Sequence, residues 1–140
     1  MIKLYNDDCI VEIIVWEKTN PMPASGFNIT NAYEFFFVLS DSALKSNTTY
    51  TKNIISSSVN SATTLKAHKA VMKQEISDYF IEKFTNVSDI VLDCFVGTGT
   101  TGVSCVKLNR NFIGIEIDKK YYDIAKRRIN SKVEENEKNK

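Results

Sequence analysis

The feature that most constrains the fold is the stretch from Ile90 to Asp118, where a glycine-rich turn separates two short apolar segments. The first segment, residues 90–92, is too short for a helix and is typical of a fully buried parallel strand, which Asp93 closes. Gly97 and Gly99 let the backbone turn sharply and approach a ligand closely. This pattern predicts the strand and turn of a βαβ unit.

The residues after the turn complete that unit. Thr100–Leu108 is predicted as a helix whose first amide groups can meet an anion or a polar group. Phe112–Ile117, FIGIEI, is predicted as the second strand, with Glu116 near its end. Ligands of such units lie beyond the carboxyl ends of the strands. Asp93, Glu116 and the glycine turn are therefore the candidate binding residues.

Four further elements follow from hydrophobic periodicity and β-branched content. The predicted strands are Glu12–Trp16 and Glu34–Leu39, and the predicted helices are Ile76–Phe84 and Tyr121 to about Val133. The second strand contains three adjacent phenylalanines, which we expect to be covered on both faces of a sheet. The basic residues of the last helix are interpreted as a solvated face rather than a phosphate contact: Arg127, Arg128 and Lys132.

Length and local composition indicate one domain. A chain of 140 residues is large enough for a core of its own, and we assign residues 1–133 to a single domain. Residues 45–66 are rich in Ser, Thr and Asn and are predicted to be a polar loop. Residues 134–140 are predicted to be a charged, disordered tail.

Charge and cysteine content limit the class of protein. A net charge of +1 gives no overall field for nucleic acid, so any DNA-binding surface has to be local. Three cysteines without paired spacing indicate a reduced protein, and Cys94 is interpreted as a small buried residue. The polar N-terminus does not resemble a signal peptide, and no apolar run approaches membrane-spanning length. We expect a cytoplasmic protein without a membrane partner.

The glycine pattern leaves two ligand classes to consider. Residues 97–102 satisfy G-x-G-x-x-G, and Glu116 follows Gly99 by 17 residues, so a nicotinamide-binding domain is one alternative. Against it, only 24 residues follow Glu116, too few for a second mononucleotide-binding half. Asp93 would also repel a pyrophosphate. An aminoacyl-nucleoside such as S-adenosylmethionine fits better, with its ammonium near Asp93 and its ribose hydroxyls at Glu116.

Three segments together resemble a known family. They are DCFVGTGTT at residues 93–101, FIGIE at residues 112–116, and the pattern of Tyr122, Ala125 and Arg128. These segments resemble the cofactor motifs of the DNA amino-methyltransferases, which methylate adenine N6 or cytosine N4. HKAVMK at residues 68–73 resembles the H-P-A-x-[FM]-P element that precedes the cofactor motif in that family.

The resemblance implies a Rossmann-like class I methyltransferase fold, α/β with a mostly parallel sheet and the catalytic half first in the chain. It also implies S-adenosylmethionine as cofactor and DNA as partner, in a restriction-modification context, with adenine favoured as the target base. The cofactor-binding residues that it implies are Asp93, Phe95, Gly97, Thr98, Gly99, Thr100 and Glu116, together with Asp8 near the adenine and His68.

One family motif is missing. The catalytic tetrapeptide D-P-P-Y or S-P-P-Y has no counterpart, since Pro21 and Pro23 are not adjacent. Compared with the family pattern, a block of roughly 60–120 residues is missing between Cys9 and Glu12, on the usual size of two βα units with their loops. We therefore expect an incomplete fold, no catalytic residues and little or no activity of this chain alone. Two alternatives are a non-catalytic cofactor-binding remnant and one fragment of a split enzyme, completed by a second polypeptide or by homo-oligomerisation.

Overall fold

The computed structural model describes residues 10–21, 30–40, 52–59 and 72–138, which contain five strands and three helices. By its internal contacts the chain divides into two compact units, residues 1–59 and residues 60–140. Each unit has its own sheet, and each is described by itself below. The assignment of residues 1–133 to one domain stays a prediction.

The first unit is a three-stranded sheet of β1 (Ile10–Lys18), β2 (Tyr33–Ser40) and β3 (Ile54–Ser57), in the order β2-β1-β3. β1 runs antiparallel to β2 and parallel to β3. β1 and β2 confirm the strands predicted from the sequence. β3 corrects the prediction that residues 45–66 are a polar loop, because it lies inside that segment.

β3 forms because its two β-branched residues favour strand pairing with β1 and because one of its residues bonds the polar group of a buried ring in β1. Ile54 and Ile55 pair with Val15 and Trp16. The indole Nε1 of Trp16 donates a hydrogen bond of 2.8 Å to Ser57 Oγ, which satisfies the buried ring's polar group.

The core of this unit lies on one face of the sheet, where Ile14 and Trp16 are buried. The prediction that the three phenylalanines are covered on both faces is wrong for the described residues. Side chains alternate along β2, so Phe35 and Phe37 share one face and are exposed, while Phe36 on the other face is half-buried.

The second unit contains α1 (Gln74–Phe84), β4 (Ile90–Asp93), α2 (Thr100–Lys107), β5 (Asn111–Gly114) and α3 (Lys119–Lys138). β4 and β5 are parallel neighbours, with Leu92 opposite Ile113. α2 packs against α1, α3 and β5. The most deeply buried side chains here are Ile76, Ser104 and Cys105. The predicted βαβ unit and the predicted helix Ile76–Phe84 are thus confirmed, and the helix begins two residues earlier, at Gln74.

Two details of the βαβ unit differ from the prediction. β4 is parallel but not fully buried, since Ile90 and Leu92 are 67% and 58% exposed, and Ile113 beside them is 53% exposed. In the part of the chain that the structure describes, helices cover only the opposite face. β5 ends at Gly114 rather than Ile117, because its partner strand β4 ends at Asp93, which lies opposite Gly114.

Helix α3 is longer than the sequence indicated. Asp118 Oδ1 accepts hydrogen bonds from the amides of Lys120 and Tyr121 and so caps the N-terminus. At the other end the helix continues through Lys138, five residues beyond the predicted end, so most of the expected tail is helical. A contact with α2 stabilises the extra turn, because Asn136 Nδ2 donates to the Val106 carbonyl at 2.9 Å.

None of the described helices combines the length and the apolar content needed to cross a membrane.

Candidate functional site

The candidate site begins at the turn between β4 and α2. Gly97 and Gly99 both adopt positive φ, +55° and +86°, which residues with a Cβ rarely adopt. The Gly99 amide donates to the Val96 carbonyl at 2.9 Å, and the Gly99 carbonyl accepts from Val103 within α2. The turn therefore passes directly into the first turn of the helix, and glycine is required by conformation at both positions.

Asp93 closes the strand end as predicted and shapes the turn. Its Oδ1 accepts a hydrogen bond from the Phe95 amide at 2.9 Å, and its carbonyl accepts from Ile115 at 2.9 Å. The amide of Val96 in turn donates to the Ile115 carbonyl. These bonds hold the residues after β4 against those after β5. The ring of Phe95 between them is 90% exposed.

Glu116 is joined to the same turn. Its Oε2 accepts a hydrogen bond from the Gly97 amide at 2.7 Å, and its Oε1 accepts from the Asp118 amide. The two residues are 19 positions apart in the chain. The structure thus brings Glu116 to the glycine turn that the sequence selected, although the strand between them is shorter than predicted.

Two residues on one face of α3, Ala125 and Arg128, contact the glycine turn. Gly99 lies so close to Ala125 that a Cβ added to the glycine would be 2.9 Å from the Ala125 Cα and Cβ. One helical turn further on, Arg128 Nη1 donates to the Thr98 carbonyl at 2.6 Å and to its hydroxyl at 3.0 Å. The Thr98 and Thr100 side chains are buried, so these two residues present mainly backbone to the site.

Arg128 therefore corrects the interpretation of the basic residues on this helix. Its side chain is half-buried rather than solvated, and burial lowers the pKa of its guanidinium. Arg127 is exposed, as expected, whereas Lys132 is half-buried rather than solvated and pairs with Glu135 at 3.0 Å. The spacing Tyr122, Ala125, Arg128 was the available signal, since i, i+3 residues share a helix face.

A polar cluster between α1 and α2 was not found from the sequence. The Asp78 carboxylate accepts from Ser104 Oγ at 2.6 Å and from Lys107 Nζ at 2.6 Å. Gln74 Nε2 donates to the Thr100 carbonyl at 3.0 Å, which ties α1 to the first residue of α2. Burial alone would raise the pKa of Asp78, but hydrogen bonds from Lys107, Ser104 and Gln74 outweigh it and lower that pKa.

A cavity of about 190 Å³ lies between β5 and α3, next to Glu116. Its lining is mainly apolar, with a polar rim: Val96, Phe112, Gly114, Glu116, Tyr122, Ala125, Lys126, Ile129 and Asn130. The volume is below the roughly 300–1,000 Å³ of ordinary ligand pockets. This cavity alone does not hold a nucleoside-sized ligand.

Three further residues were singled out from the sequence, Asp8, His68 and Cys94. Asp8 and His68 lie outside the described residues, so their role as cofactor contacts stays a prediction. Cys94 was expected to be buried, and this is wrong: the residue is exposed, and it continues the alternation of β4, in which Ile90 and Leu92 are exposed.

Comparison with known proteins identifies the family. A DNA methylase family model matches residues 4–127. The Type II methyltransferase M2.LlaDCHI of Lactococcus lactis subsp. cremoris is 33% identical over 137 residues, which cover 86% of this chain and 51% of that protein. The Type II methyltransferase M.Cfr9I of Citrobacter freundii is 34% identical over 128 residues, which cover 83% of this chain and 43% of that protein. The chain belongs to the DNA methylase family.

Solved structures agree with this assignment. The M1.HpyAVI–SAM complex matches with a TM-score of 0.69 at 34% identity, covering 88% of this chain and 64% of that chain. The PvuII DNA methyltransferase (cytosine-N4-specific) matches with a TM-score of 0.64 at 21% identity, covering 85% and 57%, which supports the fold alone. The Rossmann-like class I methyltransferase fold is thereby confirmed, in incomplete form. The chain spans about half the length of the curated relatives it matches.

Proposed function

We propose that this chain is the cofactor-binding part of a DNA amino-methyltransferase, which uses S-adenosylmethionine to methylate adenine N6 or cytosine N4. The observation that carries the proposal is the hydrogen bond between Glu116 and the Gly97 amide. It brings the acidic residue after the second strand to the glycine turn after the first, beside Asp93. Family membership and the SAM-bound relative M1.HpyAVI support the same ligand.

Each end of the proposed ligand has a partner of suitable chemistry. Asp93 carries a carboxylate to pair with the ammonium of the methionine moiety. In Glu116 each carboxylate oxygen accepts one backbone hydrogen bond, and each keeps acceptor capacity for a ribose hydroxyl. A phosphate would meet two carboxylates here and would be repelled, which disfavours a dinucleotide.

The residues between these two carboxylates complete the proposed contact surface. The exposed ring of Phe95 offers an apolar surface at the mouth of the turn. Gly97 and Gly99 let the ligand approach the backbone, and Thr98 and Thr100 contribute main-chain groups. By resemblance Asp8 and His68 add contacts to the same ligand.

We propose that DNA methylation needs a second polypeptide of the same family, which supplies the D-P-P-Y strand. The tetrapeptide is absent from this sequence. The face of Ile90, Leu92 and Ile113 is apolar and exposed, whereas parallel sheets are normally covered on both faces. Methyl transfer requires a positioned acceptor amine, and no group of this chain is assigned to that task.

Isothermal titration calorimetry with S-adenosylmethionine and with NAD tests the cofactor assignment. We expect binding of S-adenosylmethionine, a loss of at least tenfold in affinity for Asp93→Ala, and no change for Asp123→Ala, an exposed carboxylate on α3. Binding of NAD without binding of S-adenosylmethionine would refute the proposal.

A transfer assay with labelled cofactor and unmethylated DNA tests the need for a partner. We expect no labelled DNA from this chain alone, and transfer when a polypeptide carrying the D-P-P-Y block is added. Transfer by the chain alone would contradict the need for a partner. Cofactor binding without transfer in either case would favour a non-catalytic remnant. Light scattering after size-exclusion chromatography measures the oligomeric state. A homo-oligomer would contradict the proposal that a different polypeptide covers the exposed face of Ile90, Leu92 and Ile113.

A further inference from the structure

We propose that Arg128 is a positioning residue, whose guanidinium fixes the Thr98–Gly99 peptide unit of the glycine turn in the conformation that receives the cofactor. The proposal rests on the proposed function and assigns a task to a residue outside the turn itself. Arg128 acts through the backbone of Thr98, and no contact of Arg128 with the ligand is required.

The geometry holds this peptide unit at both ends. The Thr98 carbonyl accepts from Arg128 Nη1 at 2.6 Å, and the Gly99 amide of the same unit donates to the Val96 carbonyl at 2.9 Å. Carbonyl and amide of a planar trans peptide point in opposite directions, so the two bonds together set the orientation of its plane. Gly97 and Gly99, the residues before and after Thr98, are in the positive-φ region. Because glycine has no Cβ, the backbone at these positions would be free to rotate without the two hydrogen bonds.

The same helix face controls the distance of the turn from α3. Ala125 lies one turn before Arg128 and contacts the Gly99 backbone. Ala125 therefore limits how closely the turn approaches the helix, while Arg128 prevents it from moving away. The two contacts act on consecutive residues, which explains the Ala125 and Arg128 spacing in physical terms.

A half-buried arginine is costly unless its donors are satisfied. Among the described residues no carboxylate forms an ion pair with Arg128, and its side chain donates to the two oxygens of Thr98. A neutral side chain would pack there without a desolvation cost. Both bonds come from the terminal nitrogen Nη1, and a lysine would carry the charge on a side chain that is one atom shorter. The reach of the guanidinium is thus the property that the site uses.

The test compares Arg128→Gln and Arg128→Lys with Arg127→Gln, a matched loss of charge at the adjacent exposed position. Titration calorimetry measures S-adenosylmethionine affinity, and hydrogen exchange followed by mass spectrometry measures protection of a peptide covering residues 94–100. We expect both Arg128 variants to bind about tenfold more weakly and to exchange faster in that peptide without ligand, with Arg127→Gln unchanged. Thr98→Val removes only the hydroxyl acceptor and should weaken binding less than Arg128→Gln does. In the double variant, Thr98→Val should cause no further loss of affinity beyond that of Arg128→Gln.

Several results would overturn the inference. Unchanged affinity or unchanged exchange in Arg128→Gln would show that Arg128 does not hold the turn for the ligand, and wild-type affinity in Arg128→Lys would show that charge suffices. Thermal unfolding separates a positioning role from a loss of folding: an Arg128 variant that no longer unfolds cooperatively is set aside, and the other Arg128 variant decides. If wild-type protein does not bind S-adenosylmethionine, the proposed function itself fails, a result distinct from weak binding by the variants alone.

Discussion

The backbone of Gly99 lies directly against Ala125, so a Cβ at position 99 would be 2.9 Å from both the Cα and the Cβ of that alanine. This contact joins the ligand turn to α3. The atoms in the way belong to backbone and to a rigid methyl group, neither of which can rotate aside. Gly97, two residues earlier, has open space, its nearest potential neighbour being the Phe95 carbonyl at 3.9 Å.

Gly99→Ala and Gly97→Ala separate conformational strain from steric overlap. Both place an alanine at positive φ, which costs about 1–2 kcal/mol. Gly99→Ala adds an overlap of the kind that costs roughly 1–3 kcal/mol more. We expect the larger loss of unfolding free energy for Gly99→Ala, measured by urea denaturation. Equal losses for the two variants would show that the contact with Ala125 has no energetic effect.

Glu116→Gln tests the carboxylate beside the turn. The amide oxygen can still accept from Gly97, but the bond from the Asp118 amide and the charge are lost, and charge-assisted hydrogen bonds are roughly twice as strong as neutral ones. We expect S-adenosylmethionine affinity to fall about tenfold, or ~1.4 kcal/mol, in titration calorimetry. Asp123→Asn on the exposed face of α3 is the control and should bind normally. Wild-type affinity in Glu116→Gln would remove Glu116 from the proposed ribose contact.

Asp78 should make part of the stability depend on pH. Its pKa in the folded protein is lowered, so its contribution is complete above the unfolded value of about 3.9 and is lost as pH falls through the folded value. We expect Asp78→Asn to cost about 1–2 kcal/mol at pH 7, and the difference from wild type to shrink below about pH 4. Denaturant titrations at several pH values measure this. A difference that stays constant down to pH 2 would contradict a role for the ionised carboxylate.

The two described cysteines should react at very different rates. Cys105 is fully buried, and burial raises the pKa of its thiol to about 11, so little thiolate forms at neutral pH. Cys94 is exposed. With iodoacetamide at pH 7.5, we expect mass spectrometry of tryptic peptides to show early labelling of Cys94 and labelling of Cys105 only in urea. Equal labelling of the two in native protein would show that the core around Cys105 opens readily.

Local pattern was sufficient for the elements of the second unit. The apolar run before Asp93, the two glycines and the periodicity of residues 76–84 each depend on a few neighbouring residues, and the corresponding strand, turn and helix are present. The family was also evident at this level, because its motifs are short and contiguous. Element ends were less accurate. α3 continues through Lys138 because Asn136 contacts α2, and a contact 30 residues away leaves no trace in local periodicity.

By itself the sequence determined the βαβ unit, the acidic residues at its two strand ends and the family, since these depend on residue type and short spacing. Only the tertiary structure decided that Glu116 meets the Gly97 amide, that Ala125 and Arg128 hold the turn, and that Gln74 and Asp78 connect α1 to α2. It also decided which apolar residues stay exposed, with Phe35, Phe37, Ile90 and Leu92 on uncovered faces. Hydrophobicity specifies that a side chain favours burial, whereas the available cover depends on how distant segments pack.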